Sequence, residues 1–74
     1  MPDVMLNLQK LKCPMPIVHI SKEMKKLNSG QTLEVKADDS AFGEDVKAFC
    51  RVSGNKLVSF VHKDGIFTVV IQKA

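Results

Sequence analysis

Hydrophobic positions recur with two different periods along this chain, and the switches between them divide it into six elements. Val4, Leu6 and Leu8 alternate with Met5, Asn7 and Gln9, the period of a short strand with one buried face. From Pro16 the spacing changes: Ile17, Ile20, Met24 and Leu27 recur at three and four residue steps, while His19, Lys22, Glu23, Lys25 and Lys26 fall off that stripe. This predicts an amphipathic helix over residues 16–28. Pro16 suits its first turn, where a missing amide hydrogen costs nothing, and Asn28-Ser29-Gly30 supplies glycine just past its end. Alternation returns over Thr32 to Ala37, with Leu33, Val35 and Ala37 on one side. Asp38-Asp39-Ser40 then breaks the strand with side chains able to cap a second helix. Phe42, Val46, Phe49 and Cys50 form that helix's apolar face, and Glu44 and Asp45 sit in its early turns, where the helix dipole favours them. Gly43 weakens it slightly, and Ser53-Gly54-Asn55 ends it. Lys56 to His62 and Ile66 to Gln72 flank Lys63-Asp64-Gly65, a strong two-residue hairpin signal.

The order is strand, helix, strand, helix, strand, strand. A right-handed helical crossover makes the first two strands parallel, and the hairpin makes the last two antiparallel. The expected fold is an α/β two-layer sandwich, a mixed sheet with two helices on one face. With Asp64 and Gly65 as the turn, Val58, Phe60, His62, Phe67, Val69 and Ile71 share the core face, and Leu57, Ser59, Val61, Ile66, Thr68 and Val70 share the other. Leu57, Val61, Ile66 and Val70 then form an apolar strip on the uncovered face, either a surface for self-association or partner docking or scattered aliphatics that raise strand propensity and bind nothing.

Composition narrows the class. Seventy-four residues with 45% hydrophobic and 26% charged side chains make one globular domain, residues 1–74, because so short a chain buries only about 60% of its unfolded surface. No apolar run approaches the roughly 18 residues of a membrane span, and the first residues do not read as a secretory signal, which points to the cytoplasm. A net charge of +3 falls well short of a polybasic arm. Two cysteines are too few for a disulfide scaffold or a four-cysteine zinc site.

Cys13-Pro14-Met15-Pro16 lies between the first strand and the first helix, and its prolines restrict the backbone on both sides of Met15. The thiol therefore stands at a fixed place just before a helix N-terminus. Unpaired amides there, with Lys10 and Lys12 adding positive field, are expected to lower the thiol's pKa and make it nucleophilic. A buried small hydrophobe is the alternative for any cysteine near a strand end, but this placement favours the reactive one.

The run from Leu6 to Pro16, the Leu33-Glu34-Val35 strand and the Gly54-Asn55-Lys56-Leu57 turn resemble the TusA family of small sulfur-carrier proteins, also called SirA-like. The resemblance spans nearly the whole chain. It implies a fold like the C-terminal domain of translation initiation factor three, with a mixed four-stranded sheet under two helices. It also implies sulfane sulfur accepted as a persulfide on Cys13 and passed to an acceptor protein, for tRNA thiolation, cofactor biosynthesis or sulfur-compound metabolism. Implied donors are a cysteine desulfurase, a rhodanese or a DsrE-type protein, with no cofactor, direct nucleic-acid binding or membrane insertion, and a monomer or weak homodimer. The family often has Asp, Arg and Gly where this chain has Asn7, Gln9 and Lys10, and often His in place of Asn55.

Other residues have competing roles. Asp38 matches an acidic position of relatives, and by residue type is a solvated or capping carboxylate. His19 lies one turn into the helix, either solvent-facing or turned to modulate Cys13. His62 falls on the core-facing pattern. Cys50 has the helical spacing of a buried hydrophobe, or serves as a second sulfur-handling thiol. Cys13, Cys50 and the histidines lack any zinc-ligand spacing. Lys22, Lys25, Lys26 and Arg51 are solvated helix faces or a basic rim that steers an acidic partner. Two further functions compete: a non-catalytic regulatory or RNA-binding module, weakened by four aromatics that are all Phe, and a Cys13/Cys50 thiol-redox protein, weakened by the lack of Cys-x-x-Cys.

Overall fold

Residues 2–74 are described by a computed structural model. The chain runs through β1 (Val4–Asn7), α1 (Met15–Lys26), β2 (Thr32–Ala37), α2 (Phe42–Ser53), β3 (Lys56–Lys63) and β4 (Ile66–Gln72). The strands form one mixed sheet in the order β1-β2-β4-β3, with β1 and β2 parallel and β4 antiparallel to both its neighbours. Period-two burial puts Leu33, Val35 and Ala37 of β2 and Phe67, Val69 and Ile71 of β4 on the helix-covered face. Ile20 and Met24 of α1 and Phe42, Val46 and Cys50 of α2 close over them. Full burial of an Ile, Leu or Val such as Ile20, Leu33 or Val69 contributes roughly 1.5–3 kcal/mol, so this shared layer fixes both helices to the sheet.

Several local features differ from the expectations above, each for a physical reason. Helix α1 spans Met15–Lys26 rather than 16–28: Leu27 turns extended and drops into the core, and Gly30, at φ +89°, serves the following turn instead of ending the helix. Lys73 supplies part of the cap, its Nζ donating to the Met24 carbonyl at 2.8 Å. Neither Asp38, Asp39 nor Ser40 caps α2, whose N-cap is Ala41 without any side-chain cap bond. Gly54 does end α2, in the left-handed conformation. Gly43 is a packing requirement as well as a weak helix former, because a Cβ there would lie 2.8 Å from Phe67 Cε1.

The hairpin turns at Asp64 (φ +54°) and Gly65 (φ +76°). Its register holds from Lys63–Ile66 back to Ser59–Val70, and then a β-bulge at Val58 shifts β3 by one residue. Leu57 consequently packs against the core opposite Ile71, while Val58 is 50% exposed, reversing the faces expected for these two. The strip on the uncovered face loses Leu57.

Candidate functional site

The loop joining β1 to α1 is built residue by residue from the end of the strand. Leu8 is buried and its amide donates to the Lys36 carbonyl at 2.7 Å, extending the β1–β2 pairing by one bond. Asn7 Oδ1 accepts from the Gln9 amide at 3.1 Å, a local turn that bends the chain away from the sheet. Lys10 then takes a left-handed conformation, φ +73°, and its amide donates to Asp38 Oδ1 at 2.8 Å. Three residues on, the Cys13 amide donates to Asp39 Oδ2 at 3.3 Å. Two adjacent carboxylates at the end of β2 thus hold the cysteine loop at two points. The Cys13–Pro14 peptide is cis, Pro14 is the N-cap of α1 and Pro16 is buried in its first turn. Cys13 itself is exposed.

Beside the thiol, α1 and α2 leave an open groove of about 420 Å³. Pro14 and Ile17 line one side and Ala48, Phe49 and Val52 the other, so its walls are almost wholly apolar; Asp45 adds a carboxylate. Hydrogen bonding to Asp45, slight desolvation, and the negative charges of Asp45 and Asp39 raise the Cys13 thiol above its ordinary pKa. The expected lowering is therefore overturned. The helix start is partly committed: the Met15 amide is engaged with the Lys12 carbonyl at 2.8 Å, Pro16 has no amide hydrogen, and the Cys13 amide is held by Asp39. Lys10 and Lys12 are solvated, whereas the carboxylates are at hand.

This chain is similar to known proteins over nearly its whole length. Residues 4–73 match the family described as sulfurtransferase TusA. The chain belongs to the TusA family. A protein of Neisseria meningitidis serogroup A named as a sulfur carrier is 39% identical over 67 residues, 90% of each chain. The sulfur carrier protein TusA of Allochromatium vinosum is 35% identical over 72 residues, covering 97% of this chain and 95% of its own. The crystal structure of a SirA-like protein from Desulfitobacterium hafniense superposes with a TM-score of 0.82 over 93% of this chain and 95% of that one; at 20% identity it shows the shared fold.

Within this TusA-family fold the remaining candidates are dispersed. His19 is exposed on α1 and does not line the groove. His62 stacks on Phe67, ring centroids 3.8 Å apart at 13°, and exposes its other face, so the pattern placed its contact but not its exposure. Cys50 is 6% exposed in the core, where burial raises its thiol. Cys13 and Cys50 are both free thiols. Among the described residues no three His, Cys, Asp or Glu side chains are grouped to hold a metal ion. Lys22 and Lys25 border a hollow that shares Pro14, Ile17 and Phe49 with the groove, while Lys26 pairs with Glu23 at 3.3 Å. Asp39 and Asp45 are the site residues that sequence reasoning passed over. Their residue types had an adequate local explanation at helix starts, and only the fold brings them to Cys13.

Proposed function

We propose that this protein is a sulfur carrier which accepts sulfane sulfur as a persulfide on Cys13 and relays it to a protein acceptor. The observation that carries the reading is an exposed thiol on a loop pinned by Asp38 and Asp39, while the second thiol, Cys50, is buried away from exchange. The sulfur-carrier names of its relatives support the same role. On loading, the Cys13 thiolate attacks the outer sulfur of a donor persulfide, forming one S–S bond as the donor's S–S bond breaks and its electron pair leaves with the donor sulfur. On discharge the acceptor thiolate repeats this attack on the Cys13 persulfide, with no net oxidation. The donor is a cysteine desulfurase, rhodanese or DsrE-type protein in the cytoplasm, and the sulfur goes to tRNA thiolation, cofactor biosynthesis or sulfur-compound metabolism. No cofactor is required.

Intact mass after incubation with polysulfide tests the assignment. Wild type and Cys50→Ser are expected to gain about 32 Da, one sulfur atom, and Cys13→Ser to gain nothing. Retention of the added sulfur by Cys13→Ser would falsify Cys13 as the carrier. Loss of two hydrogens by wild type would replace the carrier with a Cys13/Cys50 redox pair.

A further inference from the structure

A carrier thiol has two opposed duties, holding sulfur between encounters and giving it up within one. Exchange at sulfur is faster when more of the attacking thiol is thiolate, and faster when the leaving sulfur is the weaker base. Cys13 is the attacker on loading and the leaving group on discharge, so any group that disfavours its thiolate slows both. The charged groups around it come from three elements. Asp39, before α2, is fixed on the Cys13 backbone amide. Asp45, half-buried in the first turn of α2, lines the same groove as the thiol. On the α1 side the nearest side chains of the groove are Pro14 and Ile17, and no acid stands in its first turn; Lys22 and Lys25 lie further along, beyond Ile17. Lys12 precedes Cys13 and is exposed. Asp39 is committed to the backbone, which leaves Asp45 as the carboxylate free to meet the sulfur itself.

We propose that Asp45 is a brake on Cys13, holding its sulfur atom in the proton-bearing form and slowing both capture and release of sulfur in the free carrier. The proposal rests on the sulfur-carrier reading for its purpose, but not for its chemistry. Two effects act in one direction. Lining the same groove as the thiol, the carboxylate is placed to accept the thiol proton and to disfavour the thiolate, in line with the upward displacement of Cys13. It also repels an approaching acceptor thiolate. During discharge the S–S bond breaks with its electron pair going to Cys13 Sγ, which then takes a proton from solvent; a carboxylate beside that sulfur opposes the charge as it forms. Asp45 borders a second hollow with Glu44, Lys47 and Arg51, so its carboxylate stands between the cations of α2 on one side and, across the apolar groove, the Cys13 thiol on the other.

The experiment compares wild type with Asp45→Asn and Asp45→Ser, with Glu44→Gln as control because it removes the same charge from an exposed neighbour in the same turn. Iodoacetamide alkylation of Cys13, followed against pH by peptide mass, is expected to show a midpoint moved down in both Asp45 variants, with a several-fold faster rate at pH 7. Glu44→Gln is expected to stay near wild type. In the second arm, polysulfide-loaded protein is discharged to dithiothreitol at pH 7, and Asp45→Asn is expected to lose the added sulfur several-fold faster. An Asp45→Asn or Asp45→Ser midpoint at or above wild type, with an unchanged circular dichroism spectrum, overturns the proposal, as does equal discharge of loaded proteins. A Glu44→Gln shift as large as that of Asp45→Asn overturns it too, by assigning the effect to diffuse charge. Failure of every variant to take up sulfur would sink the carrier reading, while the alkylation midpoints still decide whether Asp45 restrains the thiol.

Discussion

At the scale of single residues, the cysteine loop is held by contacts that strain it. Lys10 at φ +73° crowds its Cβ against the backbone, a conformation costing roughly 1–2 kcal/mol for a residue other than glycine. Its amide bond to Asp38 holds it there. Lys10→Gly keeps that amide and removes the crowding, with part of the gain offset by glycine's greater freedom in the unfolded chain. The expected net is a stabilisation of roughly 1 kcal/mol, read as a higher urea midpoint at unchanged slope. A lower midpoint would mean that the Lys10 side chain makes a contribution larger than the strain. The left-handed turn at Lys10 was not read from the sequence, where the family resemblance marked only a departure from glycine at this position. The placement of Cys13 just before α1 and of Pro16 in its first turn was legible, because a proline-started helix after a short strand is a local pattern. The carboxylate contacts were not: Asp38 and Asp39 reach partners 28 and 26 residues away, and both look like ordinary capping residues where they stand. The direction of the Cys13 displacement hung on those same contacts, so local reasoning about a helix end reached the opposite sign.

At the scale of elements, periodicity located all six, and the misassignments sit where packing overrides it. Leu27 is on the α1 stripe, yet the helix stops before it because extending the backbone lets its side chain enter the core. A bulge in β3 has no signature in an alternating run such as Leu57, Ser59 and Val61, and it exchanges the faces of Leu57 and Val58. Gly43 shows how propensity and packing are weighed. Alanine there gains roughly 1 kcal/mol of helix propensity. Its Cβ would meet the edge of Phe67 at 2.8 Å and Phe60 Cζ at 3.2 Å, and Phe67 is itself wedged against Phe42 and His62. Overpacking of this kind costs about 1–3 kcal/mol. Gly43→Ala is therefore expected to destabilise by about 1 kcal/mol, with a lower thermal midpoint, whereas a rise would show that the aromatic cluster moves aside freely.

At the scale of the molecule, the question is what the uncovered sheet face does. The alternation pattern suggested a continuous apolar strip, but the observed strand order interleaves it with polar residues. One row across the sheet reads Met5, Glu34, Val70, Ser59, and the next reads Asn7, Lys36, Thr68, Val61. Met5 and Val61, 64% and 50% exposed, stand at opposite edges with Glu34 and Lys36 between them. Pairing two such faces would desolvate those charges, a cost that mutual pairing of Glu34 with Lys36 repays only in part and that scattered aliphatics do not offset. The free edge of β3 is defended as well: lysines close both its ends at Lys56 and Lys63, and the bulge at Val58 twists the strand away from a straight template. The Cys13 groove lies on the helix side, between α1 and α2, and so a donor reaching the thiol has no need of the sheet. The expected outcome is a monomer in sedimentation velocity across a wide concentration range. Changing Val61 and Val70 together to Thr is expected to alter neither sedimentation nor the rate of sulfur uptake from a protein donor. A concentration-dependent dimer in wild type that the double variant abolishes would return the sheet face to the role of an interface, and the bulge would then shape that contact rather than prevent it.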